Sequence, residues 1–579
     1  MLSHRFQALP TSRHVMPCIL IAISTLGSPA SVHAESAAPP FGFSTMLGSN
    51  NRNDEARAVA WDTERGTICA VGQAAGAFDT FDRTTDGTTV NPGSLGTAGA
   101  MDIWLTCWYT DGDRAFSTVF GGPGYDAGYA IATDSSGIYV AGRAGPGLTT
   151  SVSALQPNFG GDLTPSPFFG PQDGFIAKYS WDGEPQWLSY LGDPSASYVN
   201  DIVTDPTGAV YVALADVTAD NPHVTAGAFL TLRPGGGDAV IAKLQTTGQL
   251  IWATYLGGSG VDLHAPALAI DDQFRNVFIV GSGNSTDFPI TANASQSSYG
   301  GGPSDLTLTS LNTAGTNLLF STYFGGSGAE ISNGHNIVFE PSGDRVAISG
   351  DTTSADITTI GVPSQASLAG DTDMVLAVFT RNGARTATTY LGGSSDDSNA
   401  GLAMYENRLV VAGSTTSADV PQHHNDWRGA GLDGYVAVMD LELSSVTSAA
   451  RMGGSDADAF TAVAANHDGY AVVGWSASAG LRYDNEAVPE QSTGRDRRDA
   501  WVILNKYMPD QPMNGGADAP LGCNDLGNCG GYDPNPTGCV SCASTGTGRP
   551  TAGSLLLFGC TAMLLHRSRR RRRAANLPS

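Results

Sequence analysis

The chain has 579 residues, 73 of them glycine, with 41% hydrophobic residues and a formal net charge of −25. So acidic a surface repels nucleic acid and anionic lipid headgroups, which excludes both as expected partners. The hydrophobic fraction is ample for a core, and the glycine count fits a chain with many tight turns.

Residues 1–34 read as a secretion signal. Arg5 and Arg13 supply positive charge, 15–26 is an apolar run, and Val32-His33-Ala34 fits a small-residue cleavage site. The run is too short to cross a bilayer comfortably, and Cys18 lies in it without a lipobox. Export is therefore expected.

Residues 35–508 repeat. An aromatic or aliphatic residue followed by glycine recurs at Leu47, Phe120, Leu191, Leu256, Phe324, Leu391 and Met452, with spacings of 73, 71, 65, 68, 67 and 61. In the same phase, an aspartate opens an apolar run at Asp102, Asp173, Asp238, Asp305, Asp373, Asp433 and Asp499. Each unit holds four strand-like runs rich in Val, Ile, Tyr, Phe and Trp, bounded by Gly, Asp, Ser and Pro. In the second unit they are expected at 127–133, 138–142, 173–180 and 186–191. A single four-stranded sheet cannot bury both faces, and radial stacking of seven such sheets solves that. The expected fold is all-β, a seven-bladed propeller.

Three segments carry a family resemblance: TYLGGSGVD, then NVFIVGSGNSTDFP, then DLTLTSLNTAGTNLLFSTYFGG. They resemble the SBBP β-propeller repeat of bacterial surface and secreted proteins. The resemblance runs from about Phe41 to Met508. It weakens in the first unit, at Leu47-Gly48-Ser49, and in the seventh, which lacks the (S/T)-x-D-F-P segment. It implies a fold and an extracellular setting and no defined activity.

Ring closure can be read from the ends of the repeats. The run 499–507 matches a third strand, and no fourth follows it before Pro509. Residues 41–47, FGFSTML, align with 318–324, LLFSTYF. Residues 41–47 are therefore expected as the outer strand of blade seven, antiparallel to 501–507. Cys69 and Cys107 fall at facing positions of the second and third strands of blade one, where a disulfide is expected.

Candidate function sits at one end of the ring. The second-to-third connections are long, as in 73–101, 143–172, 282–304 and 475–498, and they share an end with the blade-to-blade connections. Long loops on a rigid scaffold are where binding commonly sits, and those of blades seven, one and two are expected to form one continuous rim. Six residues beyond the marker stand Asp126, Asp262, Glu330, Asp397 and Asp458, with Asp54 shifted in blade one and Ser197 in blade three. These acids could bind Ca²⁺ or a cationic ligand. Alternatively, each accepts backbone hydrogen bonds and shapes its own turn. His264 and His335 lie near Asp262 and Glu330 in sequence, which makes a metal site conceivable; lone loop histidines also occur without any such role. No His-Glu-x-x-His, Gly-x-Ser-x-Gly or Gly-x-x-x-x-Gly-Lys motif is present. Turns of the form Gly-x-x-x-Trp at 183–187 and 248–252 resemble those of quinoprotein blades, but the pattern lapses at Gly315, which leads to Leu319.

Residues 509–551 are rich in Gly, Asn, Asp and Pro and read as a stalk. Cys523, Cys529, Cys539 and Cys542 are expected to form disulfides there; Cys539-x-x-Cys542 could alternatively bind zinc. Residues 552–579 combine a short apolar run with Arg567 and Arg569–Arg573. This order resembles C-terminal sorting tails of the MYXO-CTERM kind, which implies display at the cell surface; a plain membrane anchor is the other reading. Setting aside the nine arginines of the signal, stalk and tail leaves 21 basic against 55 acidic residues, about −34.

Two functions are in view. The first is a non-enzymatic surface propeller, monomeric, that presents a face to a protein or glycan and meets the membrane only through its tail. The second is an exported hydrolase or lyase acting on polysaccharide or peptide at the channel mouth.

Overall fold

β-Branched and aromatic runs alternate with Gly-, Asp- and Ser-rich turns along the repeats, and in the computed structural model these runs are strands. The structure describes residues 41–48, 53–75, 101–163, 171–422 (apart from 272, 274, 341, 343 and 406), 431–478 and 498–505. All of them fall in one compact unit, Met1–Pro512. The signal, stalk and tail segments, with Cys523, Cys529, Cys539 and Cys542, lie outside the described residues.

The described strands form seven antiparallel sheets arranged as blades. Blades one to six span 55–120, 127–190, 198–256, 264–324, 330–391 and 397–452, each in simple sequence order from inner to outer strand. The strands of blade two are Ala127–Asp134, Gly137–Ala144, Asp173–Tyr179 and Pro185–Tyr190, within two residues of the expectation at most boundaries. Blade five differs. Its inner strand is broken into Glu330–Ile331 and Ile337–Glu340, both paired with Arg345–Thr352.

Blade seven is composite. Asp458–Asn466, Gly469–Ser476 and Asp499–Asn505 supply three strands, and Phe41–Leu47 is the fourth. It runs antiparallel to the third, with Ser44 opposite Ile503 and Leu47 opposite Ala500. The expected closure is therefore present, and it covers an edge that would otherwise expose unpaired N–H and C=O groups. The inner strand of blade seven also packs against that of blade one, where Thr461 Oγ1 donates to the Ala56 carbonyl at 2.7 Å.

The core is divided in the same way. Seven apolar clusters each lie between two neighbouring blades, including the pair formed by blades seven and one. Every blade thus buries its faces only against other blades, which makes the ring the cooperative unit. Cys69 and Cys107 lie directly opposite each other in blade one and form a disulfide, with Cα atoms 4.1 Å apart.

The long second-to-third connections behave differently from the expected rim. In blades two to five they fold back along the outer strand of their own blade. Ser151 N donates to Leu188 O, Thr225 N to Ala253 O, Thr291 N to Ser321 O, and Thr388 N to Ile360 O. They cover the outer edge of each blade rather than the mouth. Most of the blade-one and blade-seven loops lies outside the described residues.

Candidate functional site

The two repeating markers turn out to be one device. At all seven marker glycines, from Gly48 to Gly453, a Cβ would overlap the carboxylate of the aspartate that opens the third strand of the same blade. Glycine is required there because the aspartate occupies the space. In blades two, four and five a glutamine completes the joint. Gln365 Nε2 donates to Asp373 Oδ2 at 2.7 Å, and its Oε1 accepts Gly392 N at 3.0 Å; Gln156 and Gln296 repeat this with Asp173 and Asp305. Burial pushes the carboxyls of Asp173, Asp238 and Asp305 up to about 7, and the neighbouring acids Asp193, Asp262 and Glu330 respectively add to the rise.

The turn acids Asp54, Asp126, Asp262, Glu330, Asp397 and Asp458 are all buried. The backbone N–H of each donates to the carbonyl just before the strand-opening aspartate of the preceding blade, as in Asp126 to Met101 and Asp54 to Arg498. Their carboxylates accept from their own turns: Gly122 N to Asp126 at 2.7 Å, Gly326 N to Glu330 at 2.8 Å, Gly393 N to Asp397 at 2.6 Å. Donors from the end of the second strand complete the set, such as Gly145 N on Asp126 and Ser417 Oγ on Asp397. Ser197 substitutes in blade three, its Oγ accepting Asp193 N at 3.3 Å. In this geometry the acids are clasps between blades. Among the described residues no three His, Cys, Asp or Glu side chains group as a metal site.

Three residues beyond the turn acid, the inner strand bulges. The register skips Arg57 in blade one, Tyr129 in two, Asn200 in three, Ala400 in six and Thr461 in seven. Blade four skips Ala265 and Pro266, and blade five widens the bulge into residues 332–336. A bulge re-aims a side chain. Here the single-residue bulges all line one cavity of about 650 Å³ on the ring axis, at the end where the inner strands begin. Two of the six described non-glycine residues with left-handed φ, Asp216 and His335, also line it.

One wall of this cup is basic and aromatic. The guanidinium groups of Arg57 and Arg143 lie 5.7 and 5.6 Å from the centre of the Tyr129 ring, and Tyr198 meets that ring edge-on at 5.5 Å. Arg57 pairs with Glu55 at 2.5 Å, and Glu55 is shared with Arg498 at 2.9 Å. Arg143 is buried and donates to Gln172 Oε1 at 3.3 Å. The other wall carries amides, among them Asn200, Asn333 and Asn399.

Both candidate histidines line the cup, but away from the acids nearest them in sequence. His335 Nδ1 is 3.4 Å from Asp201, and its Nε2 donates to the Tyr129 carbonyl at 2.9 Å across the axis. Burial works against its charge, but Asp201 and that carbonyl outweigh it and hold the imidazole above its ordinary range. The backbone carbonyl of His335 accepts Leu402 N at 2.8 Å, and Ser332 Oγ donates to the Ala265 carbonyl. Residues 332–336 thus form a floor tied to blades two, three, four and six. His264 is half-exposed at the mouth, 3.9 Å from Asp216.

The cup is what sequence reasoning missed. Its signal was faint: when these five units are aligned on the turn acid, the third position reads Arg, Tyr, Asn, Ala and Thr, while the fifth is always Val, Ile or Leu.

The Gly-x-x-x-Trp turns are packing devices. Gly248 sits against the Trp187 ring of the preceding blade, and Trp187 Nε1 donates to Thr246 O at 2.9 Å. Gly315 and Trp252 repeat the contact.

Residues 251–289 match the SBBP family model, described as a beta-propeller repeat. The chain is a β-propeller carrying an SBBP repeat. No curated protein matches this propeller in sequence. Among solved structures it is similar to the WD40 beta propeller domain of Doa1, at 9% identity and a TM-score of 0.36, covering 79% of this chain and 96% of that one. It is also similar to the phage phi92 endosialidase, at 10% identity and 0.36, covering 90% and 80%. A third is puromycin hydrolase, at 11% and 0.35, covering 76% and 54%. Likenesses at this level carry nothing about function.

Proposed function

We propose that this propeller is a non-enzymatic, exported protein displayed at the cell surface, and that it binds a partner protein or glycan through the axial cup. One observation carries the reading: five inner strands skip one residue at the same register, and those bulge residues converge on one cavity. Packing accounts for the repeated positions; it does not call for an Arg, Tyr, Asn, Ala and Thr around one opening. Surface display rests on the Cys-containing stalk, short apolar run and arginine cluster of residues 509–579, with their MYXO-CTERM resemblance. No helix among the described residues is long and apolar enough to cross a membrane.

The test uses the full chain against an array of purified polysaccharide oligomers and cell-surface proteins. Binding should be lost in Tyr129→Ala and kept in Asp182→Ala, an exposed turn at the opposite end. Binding that ignores Tyr129→Ala, or that fails in Asp182→Ala, would place the interface elsewhere.

The enzyme reading keeps one specific support, the half-exposed His264 beside Asp216 at the mouth. His335 is less suited to proton transfer because both its ring nitrogens face protein acceptors. Turnover of any bound oligomer, abolished by His264→Gln, would establish that reading instead.

A further inference from the structure

Resting on the cup as the binding site, we infer that its ligand is a carboxylate-bearing glycan, a chain of the uronic-acid type. The electrostatic setting is the first argument. The molecule is strongly acidic overall, with a formal charge of −25, yet one wall of its axial cavity presents two arginines against the face of Tyr129. Guanidinium groups favour planar oxyanions, which they can grip through paired N–H donors. Glu55 is divided between Arg57 and Arg498, and Asp126 acts on Arg143, so three arginines meet two carboxylates along that wall. His335 on the floor is paired with Asp201, so it adds no net charge of either sign.

The second argument is the rest of the lining. Tyr129 and Tyr198 offer aromatic surface of the kind that packs on the C–H face of a sugar ring, and Gln73, Gln172 and Asn200 offer amides suited to hydroxyl groups. A cavity of about 650 Å³ lies within the ordinary range of small-ligand sites, and its opening on the ring axis lets a chain continue into solvent. An acidic peptide would meet the same arginines, but it makes less use of the tyrosine faces and amides.

The experiment is calorimetric titration of the full chain with four probes: hexagalacturonate, its methyl ester, maltohexaose and hexaglutamate. Hexagalacturonate should bind, and the methyl ester, which keeps shape and loses charge, should bind at least about tenfold more weakly. Arg57→Gln should weaken hexagalacturonate by about tenfold and leave maltohexaose unchanged, with Arg57→Lys restoring part of the loss. Arg57 lies on the surface of the cup, so folding of the variant can be checked by its melting curve. Equal binding of acid and ester overturns the inference and leaves the cup as a binding site for neutral sugar. Tighter binding of hexaglutamate overturns it in favour of an acidic peptide. Failure of all four probes overturns it as well, and the array with Tyr129→Ala then decides separately whether the cup binds anything.

Discussion

At the scale of residues, the fold rests on carboxylates buried against glycine. The Asp238 carboxylate occupies the space that a side chain at Gly257 would need. Gly257→Ala should therefore cost about 1–3 kcal/mol, the usual range for overpacking a filled site. Adding Asp238→Ala should recover part of that loss in thermal melts, because the alanine then has room; no recovery would mean that the glycine serves some other constraint. The same carboxylates set a pH dependence. Asp173, Asp238 and Asp305 are pushed up to about 7 by burial, whereas an unfolded aspartate titrates near 4. Between those values the folded chain holds protons that the unfolded chain has released, so stability falls as pH rises. The melting temperature should be higher at pH 5 than at pH 8, and Asp238→Asn should flatten the profile. A melting temperature that climbs over this interval would contradict the assignment. The lowered carboxyls of Asp287, Asp356 and Asp419 act below pH 4 and do not enter this window.

At the scale of elements, the informative strand is Phe41–Leu47. It buries Phe43, Met46 and Leu47 and pairs along Ala500–Asn505. Burial of side chains this size contributes about 2 kcal/mol each, so deleting residues 35–48 should remove at least about 5 kcal/mol. It should also bare the edge of Asp499–Asn505 and produce concentration-dependent aggregation, readable by light scattering. An unchanged melting curve would show that the ring closes without this strand. The cost of joining such distant segments is modest, since loop-closure entropy grows only with the logarithm of length. The long connections teach a related lesson. Each reads as a binding loop by length, but in blades two to five it hydrogen-bonds along the outer strand of its own blade. Covering an edge and forming a rim are alternatives that length alone does not distinguish.

At the scale of the whole molecule, the ring acids were candidates for Ca²⁺ through their number and repetition. Most of their oxygens are engaged by backbone N–H and side-chain O–H donors. Millimolar Ca²⁺ should leave the melting temperature unchanged; a rise would mean preferential binding to the folded ring. The proposed address is a separate matter. Deleting Leu555–Arg573 should release the protein into the medium, and persistence on the cell surface would exclude that tail as the anchor.

What the sequence determined by itself was everything periodic. Seven copies of the Gly and Asp markers set the blade number, because each pair is a local contact repeated at a fixed spacing. The strand order followed from short turns, and the closing strand followed from one run missing after 507 and one spare at 41–47. The Cys69–Cys107 bridge was legible because both cysteines fall in adjacent, well-patterned strands. Only the tertiary structure decided the cup. Arg57, Tyr129, Asn200, Ala400 and Thr461 each lie at least 61 residues from the next, and nothing local to any of them says that they meet. Their meeting depends on a one-residue bulge repeated at the same register, and a bulge leaves the hydrophobic pattern on both sides intact. The partners of His264 and His335 were hidden for the same reason: proximity along the chain pointed to Asp262 and Glu330, while curvature of the ring brought Asp216 and Asp201.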